Sequence, residues 1–422
     1  MTGLTAARIL QQHGVPVRVF EAAPRAGGTL ALGGKEGFYF DAGIHVIHTS
    51  DPGIISFLED NLGLELTVSN RRALFAYNGK LMPYPYQVNT YCLSLIDRLR
   101  VIMESMRPHL KTPANYGEFL SSYFGPTLTR YFFAPYTRKF WTVDPHELSL
   151  DWVEGRVPIP RMQHRLQGLF WPVTGNYGPN QLFYYPKQGM AALAEVLSAP
   201  LQEHIFCNTR VNAIFHHERK LHCNQGEEYL YDICISTLPL PHAVKMLQPS
   251  PPNLVERAAG LRHTAMCCIN IALQGKLPHE YHWVYFPSRD EPIARVHFPG
   301  NISATNTPPG YCSLQIEIPY RGSFQSPKVK EGFVHDCLNR LESMALIRKN
   351  RENIFFVEQH QIDPAYVIHD HYRTKYLPEI LENFRHSGII PAGRFGLWGY
   401  HWMHDSIYSG QEAAAEVLAS KS

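Results

Sequence analysis

The chain has 422 residues, of which 45 % are hydrophobic and 18 % are charged, and its formal net charge is +2. This is an ordinary globular composition, and a charge so close to zero, without a run of Lys or Arg, argues against a nucleic-acid partner. No apolar stretch reaches the roughly 18 residues that a bilayer-spanning helix requires. The N-terminus lacks the basic and apolar regions of a signal peptide. We therefore expect a cytoplasmic protein without a membrane span.

The eight cysteines and 22 histidines are scattered along the chain. No CxxC pair, HExxH motif or comparable ligand spacing occurs among them. Cysteines at this density are typical of reduced, mostly buried thiols rather than of a disulfide framework. The sequence therefore predicts no metal site.

The first elements look like the second half of a βαβ unit. Residues 3–13 have helical apolar spacing and are followed by Gly14, a common helix-ending residue. Residues 15–20 are rich in valine and predict a buried strand, which Glu21 follows. The strand that should precede Gly3 in such a unit is missing. We expect a misassigned start or a truncated sequence rather than a genuine loss of the strand.

Further along the chain, we predict helices at 52–62, 190–200, 329–346 and 409–418, a largely helical, aromatic-rich block at 90–170, and strands within 205–238 and 263–320. The fold class is therefore α/β. It consists of a Rossmann-like dinucleotide-binding domain whose first strand is missing, with inserted helical and antiparallel-sheet substrate domains. The predicted boundaries are 1–66, 190–247 and 366–422 for the dinucleotide domain, 67–189 for the helical cap, and 248–365 for the sheet-rich domain.

A partial dinucleotide fingerprint lies at the N-terminus. The full motif is G-x-G-x-x-G, with an acidic residue about 20 positions later. Only the last glycine is present, as Gly3, but Glu21 follows 18 residues later and can accept two ribose hydroxyl groups. Beyond it, Arg25, Gly27 and Gly28 allow a pyrophosphate to approach the backbone. On these residues alone, cofactor binding and an ordinary α/β turn remain equally open.

The spacing E-x3-R-x-G-G resembles that of the amine-oxidase-like FAD superfamily. Residues 207–239 resemble its returning strand and turn, in which the Val211 backbone would face the adenine. The segment 405–410 resembles its C-terminal motif, in which amides at a helix N-terminus would meet the flavin pyrimidine edge. The resemblance implies an FAD cofactor held by Gly3, Glu21, Arg25, Gly27, Gly28, Val211, Gly393, Asp405 and Ser406.

Six further segments, at 83–87, 135–141, 175–180, 282–287, 295–301 and 393–400, occur in one order. Together they resemble the UDP-galactopyranose mutase family, especially its eukaryotic-type members, from residue 3 to the C-terminus. The resemblance implies that Arg295 and Arg394 clamp the substrate diphosphate, since planar guanidinium groups match phosphate oxygens, and that Arg71 and Arg156 assist. It also implies diphosphate contacts from Tyr285, Tyr366 and Tyr400, a uridine pocket of Tyr84, Tyr86, Gln87 and Trp141, a sugar side formed by Asn180 and Trp283, and His45 beside the isoalloxazine.

The implied activity is an FAD-dependent interconversion of the pyranose and furanose forms of a UDP-sugar, UDP-galactose above all. In this family the flavin must first be reduced, with NAD(P)H as the external reductant. Its N5 atom then attacks the anomeric carbon and displaces UDP, and the sugar–flavin adduct opens and recloses. Arg295, Arg394 and His45 would be the catalytic residues, the partner would be a small-molecule nucleotide sugar, and an oligomer is compatible with this reading.

Structural roles compete with these assignments. Taken singly, the tryptophans and tyrosines are more often core packing, and Arg71 and Arg156 are more often surface or ion-pair residues. His45 is equally well explained as a hydrogen-bonded core residue. For Arg394, which lies between a glycine and an aromatic run, function is the better interpretation.

The sequence also departs from the mutase pattern. Ile44 replaces a glycine that lets the backbone flip beside the flavin, and Thr137 replaces an asparagine that contacts uridine. Two other hypotheses therefore stay open. One is a flavin oxidoreductase that resembles protoporphyrinogen oxidase or amine oxidases and removes hydride from a small apolar substrate, and the other is a non-catalytic relic.

Overall fold

The computed structural model of the chain describes residues 1–31, 34–107, 112–173, 181–224, 226–322, 331–348 and 353–421. None of the helices in these ranges combines the length and the apolar composition of a bilayer-spanning segment. The helices are α1 Thr2–Gln12, α2 Pro52–Ser56, α3 Leu95–Ser105, α4 Tyr116–Leu128, α5 Ala134–Phe140, α6 Met162–Gln167, α7 Ala191–Ser198, α8 Leu240–Lys245, α9 Pro252–Ala259, α10 Pro299–Ile302, α11 Glu331–Ser343, α12 His371–His386, α13 Gly393–Gly396 and α14 Met403–Lys421.

The strands are mostly short, and two long ones, β14 and β18, are the exceptions. They are β1 Val19–Phe20, β2 Gly34–Lys35, β3 Phe38–Tyr39, β4 Leu66–Asn70, β5 Ala73–Tyr77, β6 Lys80–Pro83, β7 Leu182–Pro186, β8 Ile205–Phe206, β9 Val211–Phe215, β10 Lys220–Cys223, β11 Glu228–Leu230, β12 Cys234–Ser236, β13 Leu247–Gln248, β14 His263–Gln274, β15 Trp283–Tyr285, β16 Arg295–His297, β17 Tyr311–Tyr320, β18 Ile354–Val367 and β19 Ile389–Pro391.

Four short strands of the segments assigned to the dinucleotide domain form two parallel pairs. Strand β1 pairs with β8, and β12 pairs with β19, both in parallel register. Between β1 and β12 lies a cavity of about 790 Å³, lined by Val17 and Val19 on one side, Ile233 and Ile235 on the other, and α1. The predicted strand at 15–20 is thus shorter and only half-buried, because it pairs with β8 alone and borders this cavity.

Helix α1 spans Thr2–Gln12, which confirms the prediction for residues 3–13. The prediction that the last helix begins at Ser409 is wrong, because α14 begins at Met403 and contains Asp405–Gly410. Gly410 lies within this helix. A Cβ atom at this position would lie 2.6 Å from the Thr2 carbonyl oxygen, so the glycine permits close packing of α14 on α1.

A seven-stranded sheet in the order β18-β14-β17-β16-β15-β5-β6 carries much of the candidate site. Strand β14 is buried over ten of its twelve residues, as expected for a strand covered on both faces. Its neighbour β17 pairs with β16 in antiparallel register, which sets Glu317 opposite Arg295. The site therefore depends on the register of these two consecutive strands.

Helices α3 to α6 form a cap with an aromatic core. Phe119, Phe124, Phe132 and Phe133 are all buried within it, and the Phe124 and Phe133 rings stack at 4.5 Å. The aromatic-rich block at 90–170 is accordingly helical, as predicted. The predicted domain boundaries stay a prediction.

Candidate active site

Predicted diphosphate ligands from distant parts of the chain meet in one cluster. The guanidinium carbon of Arg394, in α13, lies 4.9 Å from the ring centre of Tyr366 and 5.4 Å from that of Tyr400. Burial raises the pKa of Tyr366 to about 12, while Arg295 and Arg394 both oppose this shift through their positive charges. The positive charges of both predicted clamp arginines therefore act on the same tyrosine.

Arg394 has hydrogen-bonding capacity that the protein does not use. Its Nη1 atom donates to the His401 carbonyl oxygen at 3.4 Å, but its Nε and Nη2 atoms are buried without a partner among the described residues. Burial lowers the pKa of this guanidinium group, and Tyr366 and Tyr400 oppose that shift. Since buried donors of a charged group are costly when unpaired, an anionic ligand would satisfy them.

Arg295 differs from Arg394, because a carboxylate already engages it. Its Nε and Nη2 atoms donate to Glu317 at 2.8 and 2.9 Å, and Glu317 is fully buried. Burial by itself would raise the pKa of Glu317, but Arg295 and His297 hold it at about 2. Arg295 is therefore half of a buried ion pair, and its role in clamping the diphosphate stays a prediction.

The same carboxylate holds the turn that carries His45. The Ile44 backbone N–H donates to Glu317 Oε1 at 3.0 Å. Ile44 itself has no positive φ, whereas Gly43 has a φ of +74°, so the isoleucine needs no strained backbone. His45 Nδ1 lies 3.2 Å from the Gly43 carbonyl oxygen, and burial lowers the His45 pKa to about 4. His45 is therefore neutral at physiological pH.

Two further arginines border the cluster, as the sequence suggested. Arg156 lies 4.6 Å from the Tyr400 ring centre and 5.0 Å from that of Trp402, and it donates to the Tyr400 carbonyl oxygen. Arg71 lies 4.5 Å from the ring centre of Tyr84. Tyr84 in turn contacts Tyr285 at 5.1 Å between ring centres, which links this edge to the cluster. The arrangement is a tyrosine-walled surface with guanidinium groups at several positions.

The predicted uridine pocket is only partly assembled. Trp141 lies 5.5 Å from Tyr400 between ring centres, and the Gln87 amide donates to the Pro158 carbonyl oxygen at 3.2 Å. Tyr86 contradicts its assignment as a ligand. Its ring is completely buried and stacks on Phe132 at 4.3 Å, so no ring surface remains for a substrate.

Trp283 and Asn180 are the two residues predicted to line the sugar side of the site. Trp283 is buried, and its indole N–H has no partner among the described residues, so its role stays a prediction. Asn180 lies outside the described residues.

Sequence reasoning missed several polar residues around the cluster. The most important is Glu317, whose only sequence signal is that it is the single charged residue of its strand. His48 and His404 flank Trp402, with ring-centre distances of 6.1 and 5.6 Å. Burial lowers the pKa of His48 to about 4. The H-W-M-H run at 401–404 is the sequence feature that could have pointed to His404.

Asp41 was also missed, and it predicts a pH dependence of stability. Burial raises its pKa to about 7 despite hydrogen bonds from Tyr185 and the His45 backbone. The unfolded carboxyl group ionises near pH 4. Between about pH 4 and pH 7 only the unfolded state releases the proton, so this group lowers stability as the pH rises.

We therefore expect Asp41→Asn to raise the melting temperature more at pH 8 than at pH 5, because the amide never ionises. Thermal unfolding across this range checks the prediction, with the exposed Asp232→Asn as the control. A melting-temperature difference that stays constant from pH 5 to pH 8 would contradict it.

Comparisons with known proteins agree on a family. The flavin-containing amine oxidoreductase family matches residues 1–323. The chain belongs to this family. It is a flavoenzyme of the amine oxidase superfamily, with FAD as the cofactor that the family implies.

Individual relatives differ in activity. The fold matches a crystal structure of reduced UDP-galactopyranose mutase with a TM-score of 0.89 and 26 % identity, over 99 % of this chain and 92 % of that one. It also matches putrescine oxidase bound to putrescine, with a TM-score of 0.68 and 15 % identity, over 99 % and 97 % of the two chains. Mitochondrial protoporphyrinogen oxidase of Nicotiana tabacum is 28 % identical over 165 residues, which are 36 % of this chain and 32 % of the tobacco protein. The alignment thus spans about a third of that relative.

The turn after β1 of this flavoenzyme fits close backbone approach by the cofactor. Glu21 follows the strand, and its Oε1 accepts the Ala23 N–H at 2.9 Å. Gly27 and Gly28 have φ of +134° and +61°, and a Cβ atom on Gly28 would meet no protein atom within 4 Å. Arg25 borders a cavity of about 450 Å³ next to this turn. Open space beside a left-handed glycine is what a phosphate-binding turn requires.

The other predicted cofactor residues lie in α1, β9, α13 and α14. Gly3 lies in α1 and Val211 begins β9, and both line the cavity beside β1. A Cβ atom on Gly393 would lie 2.7 Å from Thr2 Oγ1, so this glycine has a packing role of its own. Asp405 accepts the Trp402 N–H at 2.7 Å in the first turn of α14, and the Ser406 carbonyl oxygen accepts the Thr2 hydroxyl at 2.9 Å.

We expect Gly28→Ala to lower the flavin content of the purified protein several-fold, because the methyl group projects into the space that the cofactor needs. Gly63→Ala is a matched control, since Gly63 has a φ of +68° and also meets no atom within 4 Å. Both changes should cost about 1–2 kcal/mol of backbone strain. Equal flavin contents, measured by absorbance, would contradict the assigned role of Gly28.

Proposed function

We propose that this flavoenzyme interconverts the pyranose and furanose forms of a UDP-sugar, with UDP-galactose as the first candidate. The observation that carries the proposal is the pair of buried, unpartnered donors on Arg394, between Tyr366 and Tyr400. A diphosphate supplies the planar, negatively charged acceptors that such a guanidinium fork matches. The likeness to UDP-galactopyranose mutase supports the same choice.

The residues of the chain would bind and orient the substrate. Arg394 and Arg156 lie against the Tyr400 ring, at 5.4 and 4.6 Å, and would hold the two phosphates with the tyrosine hydroxyl groups. Arg295, neutralised by Glu317, would orient a phosphate through its remaining nitrogen rather than as a free charge. Trp141, Gln87 and Tyr84 would hold the uridine. Reduced FAD, with NAD(P)H as the external reductant, would supply the nucleophile for the anomeric carbon.

His45 would act in its neutral form. Burial keeps its pKa near 4, and its Nδ1 atom is held by the Gly43 carbonyl group. It would therefore position the turn beside the flavin and present a neutral ring, without exchanging a proton at neutral pH.

The test is direct assay of the flavin-loaded protein under anaerobic conditions. We expect dithionite-reduced protein to convert UDP-galactofuranose to UDP-galactopyranose, as followed by ion-exchange chromatography. The oxidised protein should be inactive, because reduction creates the nucleophile. Lack of conversion by protein with a full flavin content would reject the mutase proposal.

A flavin oxidoreductase is the second candidate, and the similarity to tobacco protoporphyrinogen oxidase favours it. An apolar substrate would leave the Arg394 donors unsatisfied, which argues against this candidate. Oxygen consumption with protoporphyrinogen, together with no binding of UDP, would support the oxidoreductase instead.

A further inference from the structure

The cap exposes an unusual amount of apolar surface on α3. Leu95, Ile96, Leu99, Met103 and Met106 are each between 52 % and 73 % exposed. They recur at the spacing of one helix face, whereas Val101 on the opposite face is buried. A soluble helix normally turns such a face inward, so this face of α3 has no covering element among the described residues.

A second apolar segment lies beside α3. Ile159, Met162, Leu166, Phe170 and Trp171 are between 41 % and 65 % exposed. Arg98 Nη1 donates to the Leu169 carbonyl oxygen at 2.9 Å, and Arg165 Nη1 donates to Ser105 Oγ at 3.4 Å, so the segment runs alongside the helix. We call the two segments, 95–107 and 159–171, the cap face.

The cap face is too large to be an ordinary surface feature. It holds ten of the seventeen large hydrophobic residues that are exposed in the described part of the chain. Ten half-exposed side chains present on the order of 1,000 Å², whereas the largest apolar patch of a soluble monomer is about 300–600 Å². A patch of this size indicates a binding surface.

The charges of the cap face identify the kind of partner. Its two segments contain five arginines and two carboxylates. Three of the arginines are engaged, since Arg165 is buried, Arg98 donates to backbone carbonyl groups and Arg100 pairs with Asp97. Both carboxylates have partners within the protein, since Asp97 accepts from Ser94, Arg100 and Tyr131, and Glu104 accepts from Thr127. Arg107 and Arg161 are exposed at the rim. The partner is therefore expected to be negatively charged.

We propose that the cap face docks this protein on an anionic lipid bilayer, without crossing it. Leucine, methionine, phenylalanine and tryptophan side chains would insert at the boundary between headgroups and acyl chains, and the rim arginines would meet the lipid phosphates. A second copy of the chain fits less well, because it would add the same exposed rim arginines while both carboxylates of its cap face are already engaged.

Co-sedimentation of the full chain with vesicles tests the proposal. We expect binding to phosphatidylcholine vesicles that contain phosphatidylserine, weaker binding to phosphatidylcholine alone, and loss of binding as salt is added. Leu95→Ser and Trp171→Ser should each weaken binding about tenfold, because each removes an inserted apolar group. Leu230→Ser is the matched control, since Leu230 is 73 % exposed but lies on β11.

Two results would overturn the proposal. One is a chain that stays in the supernatant with anionic vesicles at low salt. The other is a dimer of the parent protein, detected by sedimentation, that the Leu95→Ser substitution dissociates, together with no vesicle binding by either the parent or this variant. UDP binding by the Trp171→Ser variant should match that of the parent, which separates failure of membrane docking from failure of the proposed activity.

Discussion

Arg394→Lys is expected to weaken UDP binding to the reduced flavoprotein by about 10–100-fold, which corresponds to roughly 1.5–3 kcal/mol for hydrogen bonds to a charged group. Lysine keeps the positive charge but loses the planar fork whose Nε and Nη2 atoms are buried and unpartnered. The loss should therefore come from geometry and not from charge. Isothermal titration calorimetry of parent and variant measures it.

Replacement of Arg394 is expected to weaken UDP binding without lowering the stability of the ligand-free protein. Because the Arg394 donors are unsatisfied without ligand, Arg394→Met should leave the ligand-free protein as stable as the parent or more stable. Arg385→Lys is the control for the loss of UDP binding, since Arg385 is exposed and pairs with Glu416 at 2.8 Å. Unchanged UDP affinity in Arg394→Lys would contradict the assigned role of the guanidinium group.

Glu317→Gln is expected to lower the free energy of unfolding by about 3–5 kcal/mol, the usual cost of breaking a buried ion pair by removing one partner. The glutamine oxygen can still accept the Ile44 N–H, so the turn at 43–45 keeps its hydrogen bond. What is lost is the counter-charge of Arg295, which is only 9 % exposed. Urea denaturation at pH 7 measures the change.

A double-mutant cycle gives this prediction its control. Arg295→Met alone should also destabilise, because it leaves Glu317 buried without its cation. The combined Arg295→Met and Glu317→Gln protein should recover most of the loss, since neither buried charge is then left without its counter-charge. If Glu317→Gln costs less than about 1 kcal/mol, the pair is not the buried contact described above.

Local patterns predicted the parts of the fold that local physics decides. The apolar spacing of residues 3–13 predicted α1, and the aromatic-rich block at 90–170 is helical. The predicted start of the last helix, at Ser409, is six residues too late, because α14 begins at Met403 and packs on α1 with Gly410 next to Thr2. The outcome depended on tertiary packing, which the local pattern does not contain.

The candidate site was predicted unevenly for the same reason. Arg394, Tyr366 and Tyr400 meet as the resemblance implied, whereas the Arg295–Glu317 pair depends on the register of β16 against β17. Tyr86 has the same residue type as Tyr84 and lies two positions away. However, the Tyr86 ring packs in the aromatic core of the cap, and the local sequence does not indicate which of the two tyrosines is buried.

The central claim is that buried guanidinium groups hold the diphosphate of the substrate, and comparing UDP with uridine tests it most directly. Affinities of both for the reduced flavoprotein can be measured under identical conditions by competition with a fluorescent UDP derivative. We predict that UDP binds at least about 100-fold more tightly, because only UDP satisfies the Arg394 donors. Equal affinities, or no binding of UDP to protein with a full flavin content, would contradict the account.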